Sequence, residues 1–151
     1  MTQGDTQDTQ FGPLMQQVAH QSLQLIPGAD GVMIGLADHQ GVSYLWAAGT
    51  ALGALGTRVD MDASLSGLAV RIEQVVWSND TITDPRADND AGRRVLVLSA
   101  ICVPLRHARE QLGVLTVTST HAQAFDEEDV AAATRLAEFA SAAIGVHRGL
   151  V

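Results

Sequence analysis

The stretch SAICVPLRHAREQLGVLTVTSTHAQAFDEEDVAAATRLAEFASAAI, residues 99–144, carries three structural signals in succession. SAICVPL (99–105) and LGVLTVTS (112–119) are short, apolar and β-rich, and the polar RHAREQ (106–111) between them reads as a turn. Pro104 suggests an edge, a bulge or a strand end, because proline offers no N–H to a ladder. After His121 to Ala124 the period changes from two to helical. Asp126 is placed to cap a helix N-terminus, and the acidic residues 127–129 suit its positive dipole end. Phe125 and Val130 stand at the N′ and N4 positions of a hydrophobic staple. Val130, Ala133, Leu136, Ala137, Ala140, Ala143 and Ile144 then share one helical face. The small residues Ala133, Ala137 and Ala140 let another helix approach closely.

Upstream, the same signals repeat in a different order. Residues 1–10 are polar apart from Met1 and read as a mobile tail. Phe11, Leu14, Met15, Val18, Ser22, Leu25 and Ile26 recur at helical spacing, and Pro27-Gly28 ends that helix. GVMIGLAD (31–38) and VSYLWAAG (42–49) form a hairpin about His39-Gln40-Gly41. GTALGALG (49–56) reads as a flexible connection. SLSGLAVRIEQ (64–74) is a short helix with Leu65, Leu68, Ala69 and Ile72 on one side, and VVWS (75–78) a short strand. VLVL (95–98) fits either a strand or a last helical turn. The expected class is α+β: an antiparallel sheet with helices on one side and a long loop region on the other.

One ordinary domain, residues 11–148, accommodates this order within 151 residues, with 149–151 as the C-terminal end. The chain carries 9 basic and 17 acidic residues, a net charge of −8. That balance argues against nucleic acid and against anionic membrane surfaces as partners. All basic residues are Arg, which excludes a Schiff-base or phosphate-loop lysine. No apolar run is long enough to span a bilayer, and the N-terminus carries no signal peptide. A cytoplasmic protein is the simplest expectation. A single Cys excludes an internal disulfide and a Cys-cluster metal site.

SNDTITDPRADNDAGRR (78–94) packs Asp80, Asp84, Asp88 and Asp90 against Arg86, Arg93 and Arg94. Asp88 to Gly92 imitates the start of a calcium loop, but the twelfth position is Ser99, where a bidentate Glu is required. The five histidines make no metal-binding pair of the HExxH kind, and no GxSxG elbow exists. No metal and no cofactor is therefore expected. Cys102, inside an apolar strand, reads as core or pocket wall before nucleophile.

Taken together, SLSGLAVRIEQVVWSNDTITDPR (64–86), SAICVPLR (99–106) and LGVLTVTSTHAQAFDEEDVAAATRLAEFASAAI (112–144) resemble the GAF domain family. The resemblance implies five or six antiparallel strands, with the first and last helices on one face and a loop-enclosed small-molecule pocket on the other. It also implies a homodimer through the terminal helices, or an attached output domain. Family subclasses leave marks that are weak here. The Lys of the cyclic-nucleotide signature is absent, no His precedes the V-P-L strand as haem would need, and Cys102 is followed by Val rather than the His usual for bilin. Methionine sulfoxide reduction needs a resolving cysteine beside Cys102.

The reading that follows is a non-catalytic sensory domain binding a small ligand. Its expected lining is Met33, Gly35, Ala100, Cys102, Thr116 and Thr118 by strand alternation, with Trp77, Asp80, Arg86 and Arg94 from the neighbouring strand and loop. In this reading Arg86 or Arg94 meets an anionic group and Trp77 stacks on a ring. The loop 78–94 acts as a lid. The alternatives are a dimerisation or relay module without ligand, and a cysteine-based reductase.

Overall fold

Along the chain run α1 (Gln3–Leu25), β1 (Gly31–Ala37), β2 (Gly41–Gly49), a 3-10 helix (Thr50–Ala54), β3 (Arg58–Asp60) and α2 (Leu65–Ile72). They are followed by β4 (Val76–Ser78), β5 (Ser99–His107), β6 (Glu110–Ser119) and α3 (Glu127–His147). The computed structural model describes residues 3–87 and 96–149, with side chains from residue 11 onward. The strands make one antiparallel sheet in the order β3-β2-β1-β6-β5-β4. This is the expected α+β architecture, with six strands.

The period-two alternation of the strands divides the core between two faces. Val32, Ile34, Ile101, Val103, Leu105, Leu115 and Val117 meet Met15, Val18 and Ala19 of α1 and Ala133, Leu136, Ala137, Ala140 and Ile144 of α3. Each fully buried Leu, Ile, Val or Met contributes roughly 1.5–3 kcal/mol. On the other face Met33, Val42, Tyr44, Ala100, Cys102 and Val114 meet Met61 and the α2 residues Leu65, Ala69 and Val70.

α3 begins as its sequence requires. The Asp126 side chain accepts from the Asp129 N–H at 3.0 Å, and the Asp129 side chain accepts from the Asp126 N–H at 3.0 Å. Phe125 is buried in the helix-side core, where Val130 packs beside it. This reciprocal cap and staple fix where the helix starts.

Several local expectations are corrected. α1 starts at Gln3, so residues 3–10 continue the helix instead of forming a tail. GTALGALG is no open linker: Ala51 and Ala54 are buried, and a 3-10 turn packs them against the sheet. β3 had no counterpart in the sequence reading. On α2 the buried positions are Leu65, Ser66, Gly67, Ala69 and Val70, whereas Ile72 faces solvent. Leu96 is exposed, and residues 96–98 belong to no strand or helix. The β5–β6 strands run on into RHAREQ, leaving only Ala108 and Arg109 as the turn, both left-handed (φ 51° and 68°).

The outer edge of β5 is closed in three ways. β4 pairs with Ala100 to Cys102. Beyond it Pro104 has no N–H to expose, and the Arg106 N–H donates to Ser141 Oγ of α3 at 3.1 Å. An unpaired edge would be a template for association, and Pro104 with Ser141 removes it.

Candidate functional site

On the α2 face, the buried end of α2 sets a polar cluster against the sheet. Ser64 caps the helix, its hydroxyl oxygen accepting from the Gly67 N–H at 2.9 Å. That start turns Ser66 inward. Its hydroxyl lies 2.6 Å from Tyr44 Oη and 2.9 Å from Thr116 Oγ1. Thr116 in turn donates to Cys102 Sγ at 3.7 Å, and Ser66 Oγ lies 3.9 Å from the same sulfur. All four side chains are buried. Burial pushes the Cys102 thiol up to about 11, against the opposing pull of Thr116, Ser66 and the Arg86 charge. Cys102 is therefore a neutral thiol at pH 7 in this arrangement.

Elsewhere on α2 a cleft of about 340 Å³ opens between the helix and the segment after β4. Asp62, Ala63, Ser64, Leu68 and Arg71 line one wall, and Pro85, Arg86 and Ala87 the other. Arg71 Nε donates to the Met61 carbonyl at 3.1 Å and lies 3.6 Å from Asp62. Arg86 is held bidentately: Nε donates to Asp84 Oδ1 at 2.9 Å and Nη2 to Oδ2 at 2.7 Å, with Nη2 also reaching the Trp77 carbonyl at 3.2 Å. Its hydrogen bond holds the Asp84 carboxyl well below the usual carboxylate range. Two arginines thus line one cleft.

Of the lining read from sequence, Arg86 borders this cleft, and several of the strand residues gather instead in the buried cluster beneath α2. Met33, Ala100 and Cys102 share one buried cluster, and Thr116 bonds into it. Gly35 acts by its lack of a side chain, since a Cβ there would stand 2.4 Å from Val42 Cγ1 and 3.1 Å from the Tyr44 ring. Thr118 is buried, and its hydroxyl has no hydrogen-bond partner among the described residues. Asp80 shapes the turn after β4, its carbonyl accepting from the Asp84 N–H at 3.1 Å. Trp77 is a correction. It pairs with Ile101, so its ring packs on the face of the terminal helices, away from the cleft. Arg94, Arg93 and the calcium-like fragment at Asp88 lie outside the described residues.

Tyr44, Ser66, Asp62 and Arg71 were missed in the sequence reading. Tyr44 was accessible from the alternation of VSYLWAAG, because it shares parity with Val42. Ser66 carried no signal, since a serine in an apolar helix reads as a solvated position. Among the described residues, no group of three His, Cys, Asp or Glu side chains is placed to hold a metal ion.

A family profile described as GAF domain matches residues 11–145. The chain belongs to the GAF domain family. The GAF domain of a phosphoenolpyruvate-protein phosphotransferase from Acinetobacter is similar at 20% identity, covering 93% of this chain and 85% of that one with a TM-score of 0.78. A type II free methionine-R-sulfoxide reductase from Thermoplasma acidophilum is similar at 20% identity, with 93% and 96% covered and a TM-score of 0.77. The free methionine-R-sulfoxide reductase from Neisseria meningitidis, solved with its substrate, shares 25% identity over 89% and 79% at a TM-score of 0.72. No curated protein matches the chain. The expectation of a domain without catalysis is corrected by this comparison: enzymes share this GAF fold. No helix among the described residues is long and apolar enough to cross a membrane.

Proposed function

We propose that this GAF domain binds a small anionic or zwitterionic metabolite in the cleft between α2 and the segment Asp84 to Ala87, and relays its occupancy through the terminal helices. The observation that carries this reading is that Arg71 and Arg86, from α2 and from the segment after β4, both line one cleft of about 340 Å³. That volume falls in the range of small-ligand sites. A carboxylate or phosphate between the guanidiniums would compete with Asp84 for Arg86. It would thereby hold or release the segment Asn79 to Ala87, the described part of the lid, in which Asp84 and Arg86 lie.

α3 is the natural output. It exposes Phe139 and Val146, with Ala142 between them at the spacing of a helix-pairing seam. A second copy, or an attached output domain, is the partner proposed for that stripe. The cell compartment proposed is the cytoplasm.

The test is a calorimetric titration of the full chain with a defined set: free methionine sulfoxide, methionine, small dicarboxylates and cyclic nucleotides. The sulfoxide belongs in the set because the Neisseria reductase was solved with its substrate. The same samples are assayed for its reduction with a dithiol. A ligand at 100 times its Kd should raise unfolding free energy by about 2.7 kcal/mol. The effect should vanish in Arg71→Ala and Arg86→Ala. Binding that survives both substitutions would move the site elsewhere.

A further inference from the structure

Asn79 follows β4 directly and stands at the root of the lid. Its side-chain amide is engaged like a backbone unit. Nδ2 donates to the Phe125 carbonyl at 3.0 Å, and Oδ1 accepts from the Phe125 N–H at 3.3 Å. Its own carbonyl accepts from the Gln123 N–H at 2.8 Å and from the Ser99 hydroxyl at 3.4 Å. Ser99 donates more closely to the His121 carbonyl, at 2.7 Å, and accepts from the Ala124 N–H at 3.3 Å. Phe125 is the staple residue and Asp126 the cap of α3. One side chain therefore ties the start of the lid to the start of the output helix.

The tie continues toward the cleft without a gap. Asp84 receives a hydrogen bond from the Ser78 side chain and two from the Arg86 guanidinium, which also reaches the Trp77 carbonyl. In the same segment the Thr81 N–H donates to the Leu98 carbonyl at 3.0 Å and the Thr81 hydroxyl to the Val97 carbonyl at 2.5 Å. From the sheet, β5 contributes Ser99 to the same knot. Hydrogen bonds from Arg86 to Asp84, Ser78 to Asp84 and Asn79 to Phe125, joined by the peptide links Ser78-Asn79 and Phe125-Asp126, thus connect Arg86 to the α3 cap. Neither the alternation of strands nor the packing of α3 on the sheet requires this connection.

We infer that Asn79 is the positioning residue that couples the lid to the N-terminal end of α3. Loosening the Arg86–Asp84 clasp, as a competing anion would, is felt at Gln123 and Phe125 through Asn79. The inference rests on the proposed lid and cleft for its biological meaning, but its test needs no ligand. A demonstrated coupling, and not spatial intermediacy, is what establishes such a path.

The experiment is amide hydrogen exchange on the full chain in a double-mutant cycle of Arg86→Ala and Asn79→Ala. Arg86→Ala alone should accelerate exchange at Thr81 to Ala87, and also at Gln123 and Phe125 by roughly tenfold, the ratio expected when one hydrogen bond's worth of protection is lost. In the Asn79→Ala background the Phe125 amide, whose acceptor is the Asn79 side chain, already exchanges fast, and adding Arg86→Ala should change it less than twofold; the Gln123 amide keeps its main-chain acceptor. A purely structural Asn79 would give additive effects. The inference is overturned if Arg86→Ala speeds the lid amides while Gln123 and Phe125 keep their wild-type rates. It is equally overturned if the Arg86→Ala effect on Phe125 persists in the Asn79→Ala background. Should Asn79→Ala not fold, the Arg86→Ala measurement alone decides. Failure to find a ligand by calorimetry would leave this result standing, so the two claims fail separately.

Discussion

Replacing Ser66 by Ala probes the buried hydroxyl cluster beneath α2 at its most connected atom. The hydroxyl lies within hydrogen-bond distance of Tyr44 Oη at 2.6 Å and Thr116 Oγ1 at 2.9 Å, and all three residues are buried. A typical intramolecular hydrogen bond contributes about 1 kcal/mol net, and leaving a buried hydroxyl short of a partner adds a desolvation cost of about 1–3 kcal/mol. Thr116 keeps the Cys102 sulfur as an acceptor, which limits that second cost. The expected loss is therefore about 2–3 kcal/mol. Removing the single oxygen leaves little cavity, so packing contributes little of this. Urea denaturation should show a lower midpoint with an unchanged slope. For a domain of this size the melting temperature should fall by about 2–4 °C for each kcal/mol. The companion triple variant Tyr44→Phe, Ser66→Ala, Thr116→Val removes the partners together and should recover part of the loss. A Ser66→Ala protein within about 0.5 kcal/mol of wild type, well inside the range of a neutral surface change, would refute the cluster as a stabilising network.

Three further outcomes follow from the same geometry. Ala108 and Arg109 occupy left-handed backbone without glycine or asparagine (φ 51° and 68°), so Ala108→Asn with Arg109→Gly should stabilise the hairpin by about 1–2 kcal/mol in a thermal melt. Asp84→Asn should cost about 1 kcal/mol at pH 7, discounted because Arg86 is partly exposed. The folded Asp84 carboxyl is held below its unfolded value, so its stabilisation is complete above about pH 4 and is lost as pH falls through the lowered folded value. The gap between wild type and variant should accordingly stay constant from neutral pH to about pH 5 and shrink below about pH 4 in denaturation curves. Ser141→Ala leaves the Arg106 N–H on the β5 edge without its acceptor, costing about 1–2 kcal/mol and raising light scattering on mild heating.

Signals confined to a few neighbouring residues were legible, and those set by register were not. Asp126, Phe125, Val130 and Asp129 announce the start of α3 because cap and staple are local arrangements. Met33, Ala100, Cys102 and Thr116 were placed on one face by alternation within long strands. Trp77 went to the wrong face because β4 has three residues, too few to carry a period, and only its pairing with Ile101 orients the ring. β3 escaped for the same reason, as Arg58-Val59-Asp60 offers one buried residue between two exposed ones. The turn at Ala108-Arg109 lacks the glycine or asparagine that marks left-handed backbone, so RHAREQ read as longer than it is. In the site, Arg86 was chosen by its place in the loop. Its opposite number Arg71 was invisible, because the wall that α2 contributes depends on how the helix rolls on the sheet, with Ser66 in and Ile72 out.

The cleft itself is tested most directly by two-dimensional amide NMR of the full chain during titration with free methionine sulfoxide, succinate and cyclic GMP. The account predicts that at least one of them shifts the resonances of Ser64, Leu68, Arg71, Arg86 and Ala87 in a saturable way, with Gln123 and Phe125 following at the same midpoint. Saturable shifts confined to other parts of the chain, or none with any of the three at millimolar concentration, would contradict it.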